Sequence, residues 1–380
     1  QGQGGNALQG YPPAVQELLV MDDVLSAMMG IDGKYVWARA TEDGGIKFEV
    51  DPGMDASLRA LVERLLPLCE HGVVISRYVE TRGRFEHGMV CHAFAAALRS
   101  LLQDWHVMLA QLEHQLRVGA LSLQGMWFYC QPAIAAMQLL AALAGRAAAG
   151  HLIGAPLLNL LHEQATVMAG DRAARALLLR LLRAASVPYF RMLERWLYEG
   201  VVSDPYEEFL IVERAELRKE SLSEDVLSTY WQQRYTLREH VPVFLRTKAK
   251  SILTTGKYLN SIRECGKAVS NPLAGDTIEF DEAERSFVDR INAAFEYASS
   301  ELLRLLRGEV GLMSRLRSIK RYFLLDQGDF LVHFMDIAEP ELKKFSATIS
   351  TSKLQSLLDL ALRTSTAAAD PHNEELTCGL

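Results

Sequence analysis

The chain has little of what marks secreted, metal-binding or membrane proteins. It contains five cysteines, at 69, 91, 130, 265 and 378, which are odd in number, widely spaced and set mostly among apolar neighbours. No CxxC pair occurs, which argues against a disulfide framework, a zinc ribbon or a thioredoxin-type site and suits a reducing compartment. Long apolar runs are also scarce. The strongest, Ala133 to Ala149, is mostly alanine, includes Gln138 and Arg146, and falls short of the about 18 consecutive apolar residues a membrane-spanning helix needs. Positive charge is not in excess, because the formal net charge is −7. That gives no general basic field for nucleic acid. Gln1 to Gly10 is rich in Gly and Gln and has no basic start followed by an apolar run, so it reads as a flexible leader and not as a signal or transit peptide. These features predict a cytosolic protein with no membrane span.

Motifs for catalysis and for cofactors are equally thin. Thr254-Thr-Gly-Lys257 resembles the end of a phosphate-binding loop, but Ser251 stands where glycine is required and Tyr258 where Ser or Thr would hold magnesium. The alternative is a helical segment with Lys257 at its surface. His87 and Cys91 are spaced to share one helical face, with His92 beside them, yet no fourth ligand is evident and Ala93 to Ala97 is small and apolar. A packed core cysteine is the simpler reading of Cys91. No Gly-x-Ser-x-Gly elbow exists and no cysteine sits in a recognised nucleophile context. The reading therefore assigns no catalytic residue, no metal ligand and no cofactor.

What the chain does have is helical periodicity. Its 380 residues are 49% hydrophobic and 23% charged, a globular composition with ample volume for a core and room for one to three units. Leu98, Leu101, Trp105, Leu109, Leu112 and Leu116 keep a 3.6-residue period over five turns. Further helices are expected at 58–66, 172–185, 188–197, 241–253, 283–306 and 354–363. Asp204-Pro-Tyr-Glu207 has the pattern of a capped helix start. Tyr35 to Ala40 and Ile46 to Val50 flank Glu42-Asp-Gly-Gly45 and predict one small β-hairpin. Breaks are expected at 51–53, 147–156, 270–272 and after 367. No fixed repeat period is visible. The fold class is mainly α, with stacked helical bundles.

Charge and aromatics are unevenly distributed. From Glu194 to Asp225 ten acidic residues face four basic ones, and from Glu301 to Arg321 six basic face two acidic. Such opposed patches can guide side-by-side association, the alternative being plain solvation. Arg315, Arg317, Lys320 and Arg321 are candidate partner contacts on that ground. Trp196, Tyr198 and Tyr206 belong to an aromatic-rich region that is mostly core, with some residues open to an interface role.

The run from Arg315 to Asp336 combines both features. Ile319, Phe323, Phe330, Phe334 and Ile337 recur on one helical side, and Asp326 falls on that side, where it needs a partner within the fold or on another protein. Asp329 is positioned to meet His333 one turn on, and the polar group of Asp326, Gln327 and Asp329 reads chiefly as structural.

The stretch Ser318-Ile-Lys-Arg-Tyr-Phe-Leu-Leu-Asp-Gln-Gly-Asp-Phe-Leu-Val-His-Phe-Met-Asp336 resembles the signature of the gamma-tubulin complex proteins. Tyr11-Pro-Pro-Ala-Val-Gln-Glu17, Leu121-Ser-Leu-Gln124, Trp127-Phe-Tyr129, Gln131-Pro-Ala133, Pro188-Tyr-Phe190, Trp196-Leu-Tyr198, Asp204-Pro-Tyr206, Thr255-Gly-Lys-Tyr-Leu-Asn260 and Arg263-Glu-Cys-Gly266 continue it in order along the chain. Asp326 and the Gly-Lys-Tyr-Leu-Asn run look most like the component-two branch.

The resemblance implies an elongated helical-bundle scaffold: a leader over 1–10, an N-terminal region over 11–367, and over 368–380 the start of a linker toward a C-terminal gamma-tubulin-binding region absent from this chain. It further implies side-by-side pairing with a component-three-like subunit and other siblings, and gamma-tubulin held through the missing region. Small accessory proteins, and residence in the cytoplasm at the microtubule organizing centre or spindle pole, are implied as well. The competing expectation is a helical enzyme or small-ligand binder whose site gathers His92, His106, His162 and the acidic run.

Overall fold

A computed structural model describes residues 8, 10–41, 45–214, 216, 230–268, 271–272, 274–275, 277–281, 286–309, 311–326, 328–345 and 349–379. Helices dominate it, so the mainly-α expectation holds. In chain order they are α1 (Pro13–Met28), α2 (Ala56–Val62), α3 (Leu66–Arg82), α4 (Met89–Arg117), α5 (Leu123–Ala149), α6 (Ala155–Val167) and α7 (Arg172–Glu199). Then come α8 (Tyr230–Arg234), α9 (Ala249–Glu264), α10 (Ser286–Gly308), α11 (Leu312–Phe323), α12 (Asp329–Leu342) and α13 (Thr351–Thr364). Two antiparallel strand pairs join them: β1 (Val36–Ala40) with β2 (Ile46–Val50), and β3 (Ile211–Glu213) with β4 (Tyr235–Leu237). The first is the expected hairpin, in the register Val36↔Val50 to Ala40↔Ile46, although residues 42–44 of its turn lie outside the described residues. The second pair was not anticipated, since three-residue strands carry too little alternation to read.

The chain divides into two compact units, residues 1–260 with 268–296, and residues 261–267 with 297–380. In the first, α4 presents Val90, Phe94, Leu98, Leu102, Trp105, Leu109 and Leu112 as one buried face, packed against α3 and α7. Each fully buried leucine there contributes about 2 kcal/mol of transfer free energy. Helix starts follow local chemistry. Asp171 accepts from the N–H groups of Ala173 and Ala174 at the head of α7, and Ser122 accepts from Gly125 at the head of α5. Helix α5 is long and apolar enough, by length and composition alone, to cross a membrane. In this fold it packs on α3 and buries Met126, Cys130, Met137, Leu140 and Leu143. The second unit has a small core of Tyr322, Phe330, Leu358, Leu362 and Ala367, where α12 packs on α13.

Several local expectations are corrected. The stretch 315–336 is not one helix: α11 stops at Phe323, Leu325 adopts a left-handed φ of 56°, and the Asp326 N–H closes onto the Lys320 carbonyl before α12 begins at Asp329. The apolar stripe is thereby split, Phe330 inward and Phe323 72% exposed. Gln327 lies outside the described residues. Asp204 does not start a helix, because Glu207 takes a φ of 58°. Its carboxylate instead accepts from the N–H groups of Glu208 (2.9 Å) and Phe209 (2.8 Å), closing a turn. Residues 172–185 and 188–197 form the single helix α7, which passes through Pro188. Residues 58–66 divide between α2 and α3 at a turn over 63–65, and 241–253 between a 3₁₀ segment, Val243–Lys248, and α9.

Candidate interaction surfaces

Of the aromatic candidates, Trp196 is 0% and Tyr198 6% exposed, so both belong to the core of the first unit. The indole N–H of Trp196 donates to the Ile252 carbonyl at 2.7 Å, and its ring meets Tyr235 at 5.0 Å between centroids. This explains the glycine of Thr255-Gly-Lys-Tyr-Leu-Asn260. A Cβ at Gly256 would lie 2.6 Å from Trp196 Cδ2 and closer still to Cε2 and Cζ2. The same run ends in buried Asn260, whose side-chain amide donates to the carbonyls of Gly200 (2.7 Å) and Gly256 (2.9 Å), clipping α9 to the end of α7. Lys257, half-buried on α9, has its ammonium pKa lowered by that burial. The run is a packing device. Tyr206, half-buried on the turn after α7, keeps some surface.

Among the described residues, several carboxylates of the acidic run are engaged within the fold. Glu194 accepts from the Ile278 N–H, Glu207 pairs with Arg238 at 3.2 Å, and Glu213 pairs with Arg234 at 3.2 Å. Glu208 is buried and accepts from the N–H groups of Met89 (2.7 Å) and Val90 (3.3 Å), so it caps α4 from far along the chain. Burial raises its carboxyl pKa, opposed by those two donors. Residues 215 and 217–225 of the run lie outside the described residues.

In the second unit the basic residues meet acidic partners. Arg315 pairs with Glu375 at 3.0 Å, Lys320 with Asp326 at 3.2 Å, and Arg321 with Asp370 at 3.3 Å. Asp370 is buried, which pushes its carboxyl up. The Ser318 hydroxyl at 2.7 Å, the His372 N–H and Arg321 together outweigh this and hold it below the usual carboxylate range. Arg317 is exposed and, among the described residues, makes no ion pair. Asp329 turns to Thr366, accepting from its N–H and its hydroxyl, which lowers its pKa. The charge count hid one further feature of α11. Met313, Leu316, Ile319 and Phe323, spaced three, three and four apart, are each about half exposed or more, forming an apolar stripe between the basic side chains. Of these, only Ile319 and Phe323 were read from the spacing, on a side shared with Phe330; Met313 and Leu316 were missed although the same spacing carries them.

The residues weighed for catalysis and metals do not converge. The buried Cys91 thiol donates to the Leu152 carbonyl at 3.3 Å, and burial pushes its pKa up to about 11. His92 and His106 lie on α4 fourteen residues apart, about 21 Å along the axis. His162, on α6, lies against the Phe244 ring. His87 and His151 both meet Arg82, at 3.3 and 2.8 Å, through their Nδ1 atoms. Among the described residues no group of three or more His, Cys, Asp or Glu is placed to hold a metal ion.

Comparison with known proteins covers almost the whole chain. The family model described as "Gamma tubulin complex component N-terminal" matches residues 21–309, and that described as "Gamma tubulin complex component C-terminal" matches 312–380. The chain is 52% identical over 371 residues to "Gamma-tubulin complex component 2" of Arabidopsis thaliana, covering 97% of this chain and 55% of that protein. It is 47% identical over 367 residues to "Gamma-tubulin complex component 2" of Mus musculus, covering 96% and 40%. It is 33% identical over 425 residues to "Spindle pole body component alp4" of Schizosaccharomyces pombe, covering 95% and 54%. The chain thus spans about half the length of these relatives.

Proposed function

We propose that this chain, which belongs to the gamma-tubulin complex component family, is a non-catalytic scaffold that assembles side by side with sibling subunits so that gamma-tubulin is arrayed to template microtubules. The observation that carries this reading is the pair of family matches, which together run from residue 21 to 380 with only two positions between them. A component-three-like sibling is the proposed neighbour, gamma-tubulin the cargo and the microtubule organizing centre or spindle pole the site of action. The spindle pole body relative supports that location. We place the junction between the N-terminal and C-terminal modules near residue 310, following the spans of the two matches, ahead of residue 367 where the family resemblance put it.

For partner contact we favour Arg317 and the apolar stripe of α11, with Tyr206 on the first unit. Arg315, Lys320, Arg321 and Asp326 act first within the fold, through their ion pairs, and Trp196 and Tyr198 support the surface from the core. Co-purification tests the reading. A tagged chain should retain the matching region of a component-three-like protein at micromolar concentration, and failure to retain it would remove side-by-side assembly through this chain.

A further inference from the structure

A groove of about 430 Å³ runs along the outer face of α7, within the first unit. Its far wall is the segment 277–280, fixed by two contacts: the Ile278 N–H donates to Glu194, and Arg183 Nε donates to the Phe280 carbonyl at 3.3 Å. The floor is rigid. Phe190 and Phe280 belong to a cluster with Phe244 and Phe287, whose ring centroids are 5.0 to 6.2 Å apart. Val187 opens into the groove with 40% of its surface exposed.

The charges along this groove are not balanced internally. Arg180, Arg183 and Arg191 line it against Glu194 and the exposed Glu279, which leaves one positive charge in excess; Glu194 is committed to the Ile278 N–H and Arg183 to the Phe280 carbonyl, while Arg180 and Arg191, among the described residues, make no ion pair. They stand eleven residues apart on α7, about 16 Å along the axis, with Val187 between them. Pro188 has no N–H, so the Ala184 carbonyl, also on the groove wall, lacks its usual intrahelical donor.

We propose that this groove docks an acidic peptide segment of another protein, with two carboxylates on Arg180 and Arg191 and one apolar side chain between them over Val187 and Phe190. An extended peptide crosses about 16 Å in about five residues, so the motif is an apolar residue flanked on both sides by Asp or Glu. The inference stands on the groove alone and does not need the scaffold reading.

The test uses this chain with the labelled peptide Asp-Glu-Ser-Leu-Ser-Asp-Glu, followed by fluorescence anisotropy at low salt. Binding should weaken at least about tenfold with Arg180→Glu plus Arg191→Glu, and by a similar factor with Val187→Asp. All three side chains are exposed, so the thermal melt should stay put. Replacing the peptide's Leu by Ser should also weaken binding. No binding at millimolar peptide, or binding indifferent to these substitutions, would overturn the proposal. So would a Ser peptide or free citrate that binds as well as the Leu peptide, because the groove would then be an anion site only.

Discussion

Replacing Gly256 by alanine isolates the packing that joins α7 to α9. Helix propensity alone makes Gly256→Ala stabilising, by about 1 kcal/mol. Packing opposes it, since the new Cβ would meet Trp196 Cδ2 at 2.6 Å, with Cε2 and Cζ2 closer. The ring cannot step aside, being fully buried and held by its N–H on the Ile252 carbonyl. Relief must come from α9 moving outward, which draws on the Asn260 clip as well. Overpacking of this kind costs about 1–3 kcal/mol, and an immobile indole puts it near the top of that range. The net expectation is about 2 kcal/mol of destabilisation, read as a lowered urea midpoint by circular dichroism at constant slope. Trp196→Ala removes all three clashing ring atoms, so the double variant should lose at least about 1 kcal/mol less than the sum of the single losses. A Gly256→Ala variant as stable as the parent, or more so, would refute the argument.

Other expectations follow from the same geometry. Asn260→Ala should cost about 1–3 kcal/mol, because the Gly200 carbonyl loses its buried donor, and the same urea titration measures it. Lys344 and Lys353 hold the buried carboxylate of Glu341 at 2.7 and 2.8 Å and lower its pKa from 4.5 to about 2. That contribution is whole above about pH 4.5 and is lost as pH falls toward 2, so the melting difference between the parent and Glu341→Gln should shrink across this window. A pH-independent difference would contradict it. Arg317→Glu should leave the thermal melt unchanged and weaken pairing with a component-three-like region. Arg315→Glu should also lose its exposed contact with Glu375, at a cost below about 1 kcal/mol. If pairing ignores Arg317→Glu, that side chain is ordinary surface.

The long elements were readable because five turns of apolar spacing, as on α4, admit one explanation. Boundaries were less so. The 315–336 run keeps helical spacing through a break made by a left-handed leucine; Gly328 is the one residue type there that signals it, and the apolar spacing was weighed above it. Asp204-Pro-Tyr-Glu207 carries the composition of a helix start, yet the positive φ of Glu207 turns the same aspartate into the clasp of a turn. The charge patches were countable, whereas their internal neutralisation was not. Arg315 finds Glu375 and Arg321 finds Asp370 across a separation in sequence that spacing rules do not reach. The α7 groove escaped notice for the same reason, since its wall at 277–280 comes from a distant part of the chain.

Sedimentation velocity of this chain mixed in equal amounts with the matching region of a component-three-like protein tests the central claim most directly. Side-by-side assembly predicts one faster boundary at micromolar concentration that neither protein shows alone. Two boundaries at the positions of the separate proteins would contradict it.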